Sequence, residues 1–478
     1  MARLVRRRYG DARDDQVTEL SWTDRDHLHR TAKLLLDTDQ ASTPAEATHQ
    51  LERFRLQVVT DNSIAGDLAA QAALLTATNA GMRALLGGVH VQIADDPVLH
   101  LPWAHGLRLS DAVTRLGGHV VDVLDPTVPT FVIGDARPVR SDIVMHGAWH
   151  GWSGGVIQSP ASHSTPAAMP LAGVVAGALA VAETFQHHLG SARAARRETG
   201  LSLWRPDLAW DHPDAIGPSL MFLPSGLWLL GLGHLGQANA WALGCLPYPA
   251  DGPLVMLVDD DHVVEANLAT GLLLTEHDAI NRRPKTRVVA SRLEQLGFRA
   301  AIVERRYDQH TQPSGREPTI ALAGFDQPAP RRLLGGCFDL AIDVGLGAGP
   351  IDYLDIAIHR FPSALTAEQA FPGRTRPPRP LGATYEAEIQ RRTSAGVAEG
   401  DARCGMVEIA GATVGAAFVG ATAGALAVSD LLRELHGGTN YTVISVDLRS
   451  PHCCAAVPDS SAGPEIPGFL LADDTGEA

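Results

Sequence analysis

Apolar positions along this chain fall into short runs, and stretches of helical character lie between them. The run Leu227-Trp228-Leu229-Leu230 leads into Gly231-Leu232-Gly233-His234-Leu235-Gly236 and then into a helix-like segment. Other runs read as strands ending in acids: "GVHVQIADD" (88–96), "GPLVMLVDDD" (252–261), "VPTFVIGDA" (128–136) and "EPTIALAGFDQ" (317–327). "PLAGVVAGALAVAETF" is the longest apolar stretch, and its Ala and Gly content suits a buried helix. Strands alternating with helical stretches predict an α/β fold with mostly parallel, doubly wound sheets.

The chain also contains itself twice. Ala-Gly-Ala-Leu-Ala-Val occurs at 176–181 and again at 423–428, each time in a small-residue helix followed by glycine. The paired strands above recur in the same order, and "SDIVMHGAWHGWSGG" (141–155) matches "FDLAIDVGLGAGP" (338–350). This predicts two Rossmann-like domains: a first at 50–200 behind an extension at 1–49, and a second at 218–450 before a flexible tail at 451–478. The second copy is longer. One added segment holds "NLATGLLLTEHDAINRRPKT"; the other, about 360–404, is rich in Pro, Arg, Thr and Ala and predicts a long mobile crossover loop. The first copy lacks the glycine loop, since "RLQVVTD" runs into "NSIAGDLA". One half is equipped for chemistry and the other reads as scaffold.

At 478 residues there is room for two cores. A net charge of −15 argues against general binding of nucleic acid or anionic membrane. Arg6-Arg7-Arg8 is the exception and reads as a solvated end. There is no signal-peptide pattern and no run of membrane-spanning length. The cysteines, Cys245, Cys337, Cys404, Cys453 and Cys454, form no CxxC pair, so neither a disulfide framework nor a Cys-four zinc site is expected. A reducing cytoplasm is the expected setting.

In the glycine motif, Gly231 permits a tight turn, Gly233 lets backbone approach a phosphate, and Gly236 lets the helix pack close to the strand. Asp259 ends the next apolar run, where a carboxylate can accept from ribose hydroxyls. To this point an NAD-dependent dehydrogenase fits equally well. Downstream come Asp261, Asn267, Lys285, Asp326, Arg331 and Arg332, a set suited to a polyanion. Lys285 can neutralise phosphate charge and Asp326 can hold Mg²⁺. A lone Lys in a polar loop is ordinarily only solvated, and an Asp at a strand end often caps a helix.

The order GxGxxG, "LVDxDxVxxxNL", Lys, then "FDQPAPRR" resembles the ThiF/MoeB superfamily of ubiquitin-activating-type adenylyltransferases, well over 220–440 and faintly over 50–195. The resemblance implies ATP and Mg²⁺ as cofactors. Gly231, Gly233 and Gly236 would line the phosphates, with Asp261 beside them in the nucleotide site. Asp259 would bind the ribose, Asn267 and Lys285 the triphosphate, and Asp326 the metal. It further implies adenylation of the C-terminal carboxylate of a ubiquitin-like or sulfur-carrier protein, or of a peptide. It also implies an inactive domain paired with an active one as an internal pseudo-dimer, with a further homodimer open. Cys404, before the Gly/Ala-rich helix, stands where the family often carries an acyl acceptor; Arg403 and a nearby helix N-terminus would activate its thiolate. Two departures stand out. His234 replaces a glycine of the usual GxGGxG, and Thr270 replaces an arginine, for which Arg282, Arg283 or an arginine of the first half would substitute. A non-catalytic, peptide-binding partner of this fold is the rival reading.

Overall fold

The computed structural model describes residues 28–134, 141–159, 168–373, 381–460, 466 and 468–473. Arg6–Arg8 and Asp135 lie outside them. Two short helices, α1 (Ala32–Asp37) and α2 (Pro44–Leu51), come first.

The first half then runs β1 (Leu56–Thr60), α3 (Leu68–Ala84), β2 (Val89–Ile93), α4 (Leu109–Arg115), β3 (His119–Val120), β4 (Thr130–Ile133), β5 (Val144–His150), β6 (Ser153–Ile157), α5 (Pro170–His188) and β7 (Thr199–Ser202). The second half runs β8 (Phe222–Pro224), β9 (Gly226–Leu230), α6 (His234–Leu243), β10 (Leu254–Val258), α7 (Lys285–Glu294), β11 (Arg299–Val303), β12 (Ile320–Ala323), β13 (Leu340–Leu346) and β14 (Asp355–Phe361). It continues with α8 (Ala383–Ser394), α9 (Glu399–Ala410), α10 (Ala417–Leu435), β15 (Tyr441–Asp447), β16 (Ala455–Pro458) and β17 (Phe469–Leu471).

The two sheets are wound alike. The first has the order β3-β2-β1-β4-β5-β6-β7 and the second β11-β10-β9-β12-β13-β14-β15-β16. In each, the first five strands of that order are parallel and the remainder antiparallel. The central parallel strands β1 and β9 are fully buried, because helices cover both their faces, whereas the edge strands β3 and β11 are partly exposed.

The repeated hexapeptides sit in α5 and α10, and their glycines have a packing reason. A Cβ at Gly173 would lie 1.8 Å from the Ala69 carbonyl oxygen, and one at Gly177 2.3 Å from that of Ala73. In the second half a Cβ at Gly420 would lie 2.3 Å from His234 Nε2, and one at Gly424 2.4 Å from the Ala238 carbonyl oxygen. So α5 lies on α3 as α10 lies on α6. The four helices also meet one another between the halves, and one apolar core runs through both.

Two expectations need correction. Residues 360–404 are largely regular, with α8 and the first half of α9 inside them; 374–380 lie outside the described residues. The prolines that suggested a loop are bunched at 372–380, whereas "ATYEAEIQRRTS" and "EGDARCGMVEIA" are good helix formers. They bury Tyr385 and Ile389, and Ala402, Met406 and Ile409, at helical spacing. Residues after 451 are not simply a tail either: β16 extends the large sheet and β17 pairs with β8.

Candidate functional site

The parallel strands of the second sheet end on one edge, and the winding reverses between β9 and β12, where open α/β sheets place ligands. The glycine loop lies at that point. Gly231 has φ 78°, a left-handed turn that glycine adopts without strain. A Cβ at Gly236 would sit 1.9 Å from the Gly231 carbonyl oxygen, so glycine is required for helix-on-strand packing. Gly233 differs: its φ is −74° and a Cβ there would meet nothing within 4 Å. Internal packing does not ask for glycine at this position. The open space beside it leaves room for a bound group to approach. Helix α6 starts here without a side-chain cap, which leaves its first N–H groups open to an anion.

The acids next to the loop are tied into it. Asp259 accepts from Leu232 N–H (2.5 Å) through Oδ2 and from Asp261 N–H (2.7 Å) through Oδ1. Burial raises its carboxyl above the ordinary range, against the opposing pull of Lys285. Lys285, buried at the start of α7, donates from Nζ to Asp261 Oδ2 (2.7 Å), and its own N–H bonds the Asp261 carbonyl (3.0 Å). Burial raises Asp261, but Lys285, with Arg306 and His262, outweighs it and the net shift is downward. Gly231, Gly233, Gly236, Asp259, Asp261 and Lys285 therefore form one connected edge.

Asn267 is half-buried in a 3-10 turn, its Oδ1 accepting from Val264 N–H (3.0 Å). Asp326 is exposed just past β12, and its charge acts on Arg306. Arg306 donates to Asp260 (2.9 Å). Sequence reasoning missed this arginine, although it follows β11, and the strand order places the ends of all parallel strands on this edge. Arg331 belongs elsewhere. It makes two bonds to the buried Asp343 (2.9 and 2.5 Å) and stacks on Phe371, in the second apolar cluster.

Both family departures have a local explanation. The His234 imidazole packs towards Gly415 and Gly420, and burial pushes its pKa down to about 4, so it is neutral. Thr270 is buried, with its methyl 3.1 Å from where a Gly415 Cβ would be. Of the possible substitutes, Arg283 pairs with Asp278 (2.8 Å) and Arg282 is exposed. Cys404 is exposed in the middle of α9, not at a helix start, and Arg403 beside it is paired with Glu386 (3.1 Å). Helix-terminus activation of this thiol is thus corrected. The segment after α9 does reach the loop: Val414 N–H bonds Ala348, past β13, and Gly415 lies by Thr270 and His234.

In the first half the matching place is filled. Asp61 caps the 3-10 turn after β1, and Asp67 caps α3 by accepting from Ala70 N–H (3.0 Å). A Cβ at Gly134, after β4, would lie 2.2 Å from Ser63 Oγ. Carboxylates hold the helix start that the second half leaves open.

These features define a class: mixed α/β proteins of two like-wound, mostly parallel sheets, one of them with an open glycine loop. Residues 55–203 match the BilD N-terminal domain and 223–438 the BilD C-terminal domain. The bacterial E1-like protein BilD of Collimonas sp. (strain OK412) is 37% identical over 424 residues, 87% of this chain and 90% of that one. The chain belongs to the BilD family of E1-like proteins. Solved structures resembling it include E. coli MccB with ATP (15% identity, 51% of this chain and 66% of that chain, TM-score 0.32). E. coli MccB with AMPCPP and MccA also resembles it (13%, 68% and 98%, TM-score 0.33). Among the described residues no helix is long and apolar enough to cross a membrane.

Proposed function

We propose that the second half uses ATP to adenylate the C-terminal carboxylate of a small protein of the ubiquitin-like or sulfur-carrier kind, or of a peptide. The carrying observation is the contrast between the uncapped start of α6, with open space beside Gly233, and the carboxylate-capped start of α3. Membership of an E1-like family supports the same reading.

In this reading the loop and the first turn of α6 take phosphate oxygens, and Lys285 exchanges Asp261 for phosphate charge. Arg306 supplies a second cation. Asp326, exposed and free of a pinning ion pair to Lys285, fits a hard cation, and Mg²⁺ there would neutralise phosphate charge. The substrate carboxylate attacks the α-phosphorus, an acyl–O–P bond forms, and pyrophosphate leaves. Cys404 is the proposed acceptor in a second step: its thiolate attacks the acyl carbon and AMP leaves. The first half is the inactive member of the pair, and a reducing cytoplasm suits the free thiols.

ATP–pyrophosphate exchange with candidate carriers tests this. Wild type should exchange, while Lys285→Ala and Asp326→Ala should lose activity by about two orders of magnitude or more. Equal activity in all three removes the assignment. A reductant-sensitive adduct should disappear in Cys404→Ala and persist in Cys453→Ala. Neither ATP binding nor exchange in wild type would favour a non-catalytic partner, and NAD(H) binding in its place an oxidoreductase.

A further inference from the structure

Asn79 and Arg83 lie on α3, in the first half, yet their polar atoms are spent on the second. Arg83 donates from Nη1 to the Leu268 carbonyl (2.8 Å) and from Nη2 to those of Leu272 (3.2 Å) and Leu274 (3.0 Å). Its Nε donates to Asn79 Oδ1 (3.0 Å), and Asn79 Nδ2 donates to Leu272 as well (3.0 Å). No carboxylate is among these partners. Burial lowers the guanidinium to about 10, an electrostatic cost accepted at a position where both terminal nitrogens serve one backbone segment.

That segment continues directly from Asn267. It is also wired to the glycine loop. Leu273 N–H donates to Gln237 Oε1 (3.2 Å), and Gln237, fully buried on α6, donates from Nε2 to the Leu232 carbonyl (3.0 Å). Leu232 N–H in turn bonds Asp259. An unbroken chain of hydrogen bonds thus runs from α3 through 268–274 and Gln237 to the loop and to Asp259. The segment borders an open cleft of about 780 Å³ between the halves, lined by Leu272–Thr275 together with Asn79 and Arg83. Leu272, Leu273 and Leu274 are buried in the apolar cores and Thr275 is tied to Asp278, but the carbonyls of Leu268, Leu272 and Leu274 are met by Arg83.

We propose that Asn79 and Arg83 are positioning residues by which the first half sets the glycine loop and Asn267 of the second for nucleotide binding. The proposal rests on the adenylation reading for its consequence, but its geometry does not. The first half, without an anion site of its own, would then fix the site of its neighbour. Three carbonyls fanned around one side chain suit a planar guanidinium with several N–H donors; an ammonium at the same reach cannot serve them all in one plane.

The test uses the full chain with Arg83→Met, Arg83→Lys and, as a milder change should Arg83→Met fail to fold, Asn79→Ala. Amide exchange over 268–275 and over 231–236 is measured without nucleotide, ATP affinity by calorimetry, and ATP KM and kcat by pyrophosphate exchange. In Arg83→Met, protection of both segments should fall and ATP Kd and KM should rise about tenfold or more, with kcat much less affected. Arg83→Lys should recover part of this, and Asn79→Ala should shift the same readouts less. Wild-type ATP affinity in folded Arg83→Met overturns the proposal, even if 268–275 loosens, since the role would then be structural only. If wild type binds ATP but catalyses no exchange, the adenylation reading fails while the affinity and amide data still decide the positioning role. If wild type binds no ATP, both fall.

Discussion

Glycine to alanine in a helix interior ordinarily stabilises, by about 1 kcal/mol, because alanine has less backbone freedom to lose. At Gly173 the same change should destabilise. An added Cβ would lie 1.8 Å from the Ala69 carbonyl oxygen and 2.6 Å from its carbon, both rigid backbone atoms of α3. Reaching an ordinary contact near 3.4 Å requires the two helices to part by more than an ångström along their shared face. Overpacking of this kind costs about 1–3 kcal/mol. With the clash so close to rigid backbone it outweighs the propensity gain, and Gly173→Ala should lose about 1–2 kcal/mol net. Gly424→Ala, at the place in α10 that matches Gly177, would put a Cβ 2.4 Å from the Ala238 carbonyl oxygen and should shift in the same direction. Gly405→Ala is the control: it is mid-helix in α9, where the nearest atom is the flexible tip of Arg392 at 3.9 Å. It should be neutral or gain up to about 1 kcal/mol. Urea unfolding followed by far-UV circular dichroism and tryptophan fluorescence reads all three. A Gly173→Ala midpoint at or above wild type would refute the packing argument.

Stability should depend on His234 and His29, both pushed down to about 4 by burial. Between pH 6.5 and 4 the unfolded chain takes up protons that the folded chain refuses, so this contribution is complete above pH 6.5 and lost towards pH 4. Its ceiling is about 3 kcal/mol per histidine, and His234→Ala should flatten the urea midpoint against pH in that window; an unchanged slope contradicts the burial. Asp343→Asn breaks an ion pair whose carboxylate is fully buried and should cost about 3 kcal/mol or more, whereas Asp261→Asn, on a largely exposed carboxylate though opposite a buried Lys285, should cost less, about 1–2 kcal/mol. Equal losses in the two variants would undo that distinction.

The glycine loop, the doubled α/β pattern and the paired helices are legible in the sequence because each depends on neighbours within one element or on a literal repeat. The helices α8 and α9 are hidden when composition is averaged over a stretch whose prolines occupy only one part. Asp343 reads as an ordinary strand residue, and only the fold shows it holding Arg331, which spacing alone places in the polyanion set. Arg83 is the hardest to see. Its acceptors lie 185 to 191 residues away, and nothing in local spacing marks an α3 arginine as serving a loop of the other half.

The doubling also explains why His234 does not spoil the loop it interrupts. By the register of the two helix pairs, Gly173 faces Ala69 where Gly420 faces His234. The second half replaces a backbone-close contact with an imidazole lodged against a glycine, so His234 and Gly420 form one packing unit. The ring is spent on α10, away from Gly233, whose missing side chain leaves open space. The loop can therefore lose a glycine of the usual family pattern and keep its open face. Gly415, beside both His234 and Thr270, carries that same packing into the segment leading back to Cys404. A side chain at 415 or 420 would consequently press on His234 and, through it, on the start of the loop helix.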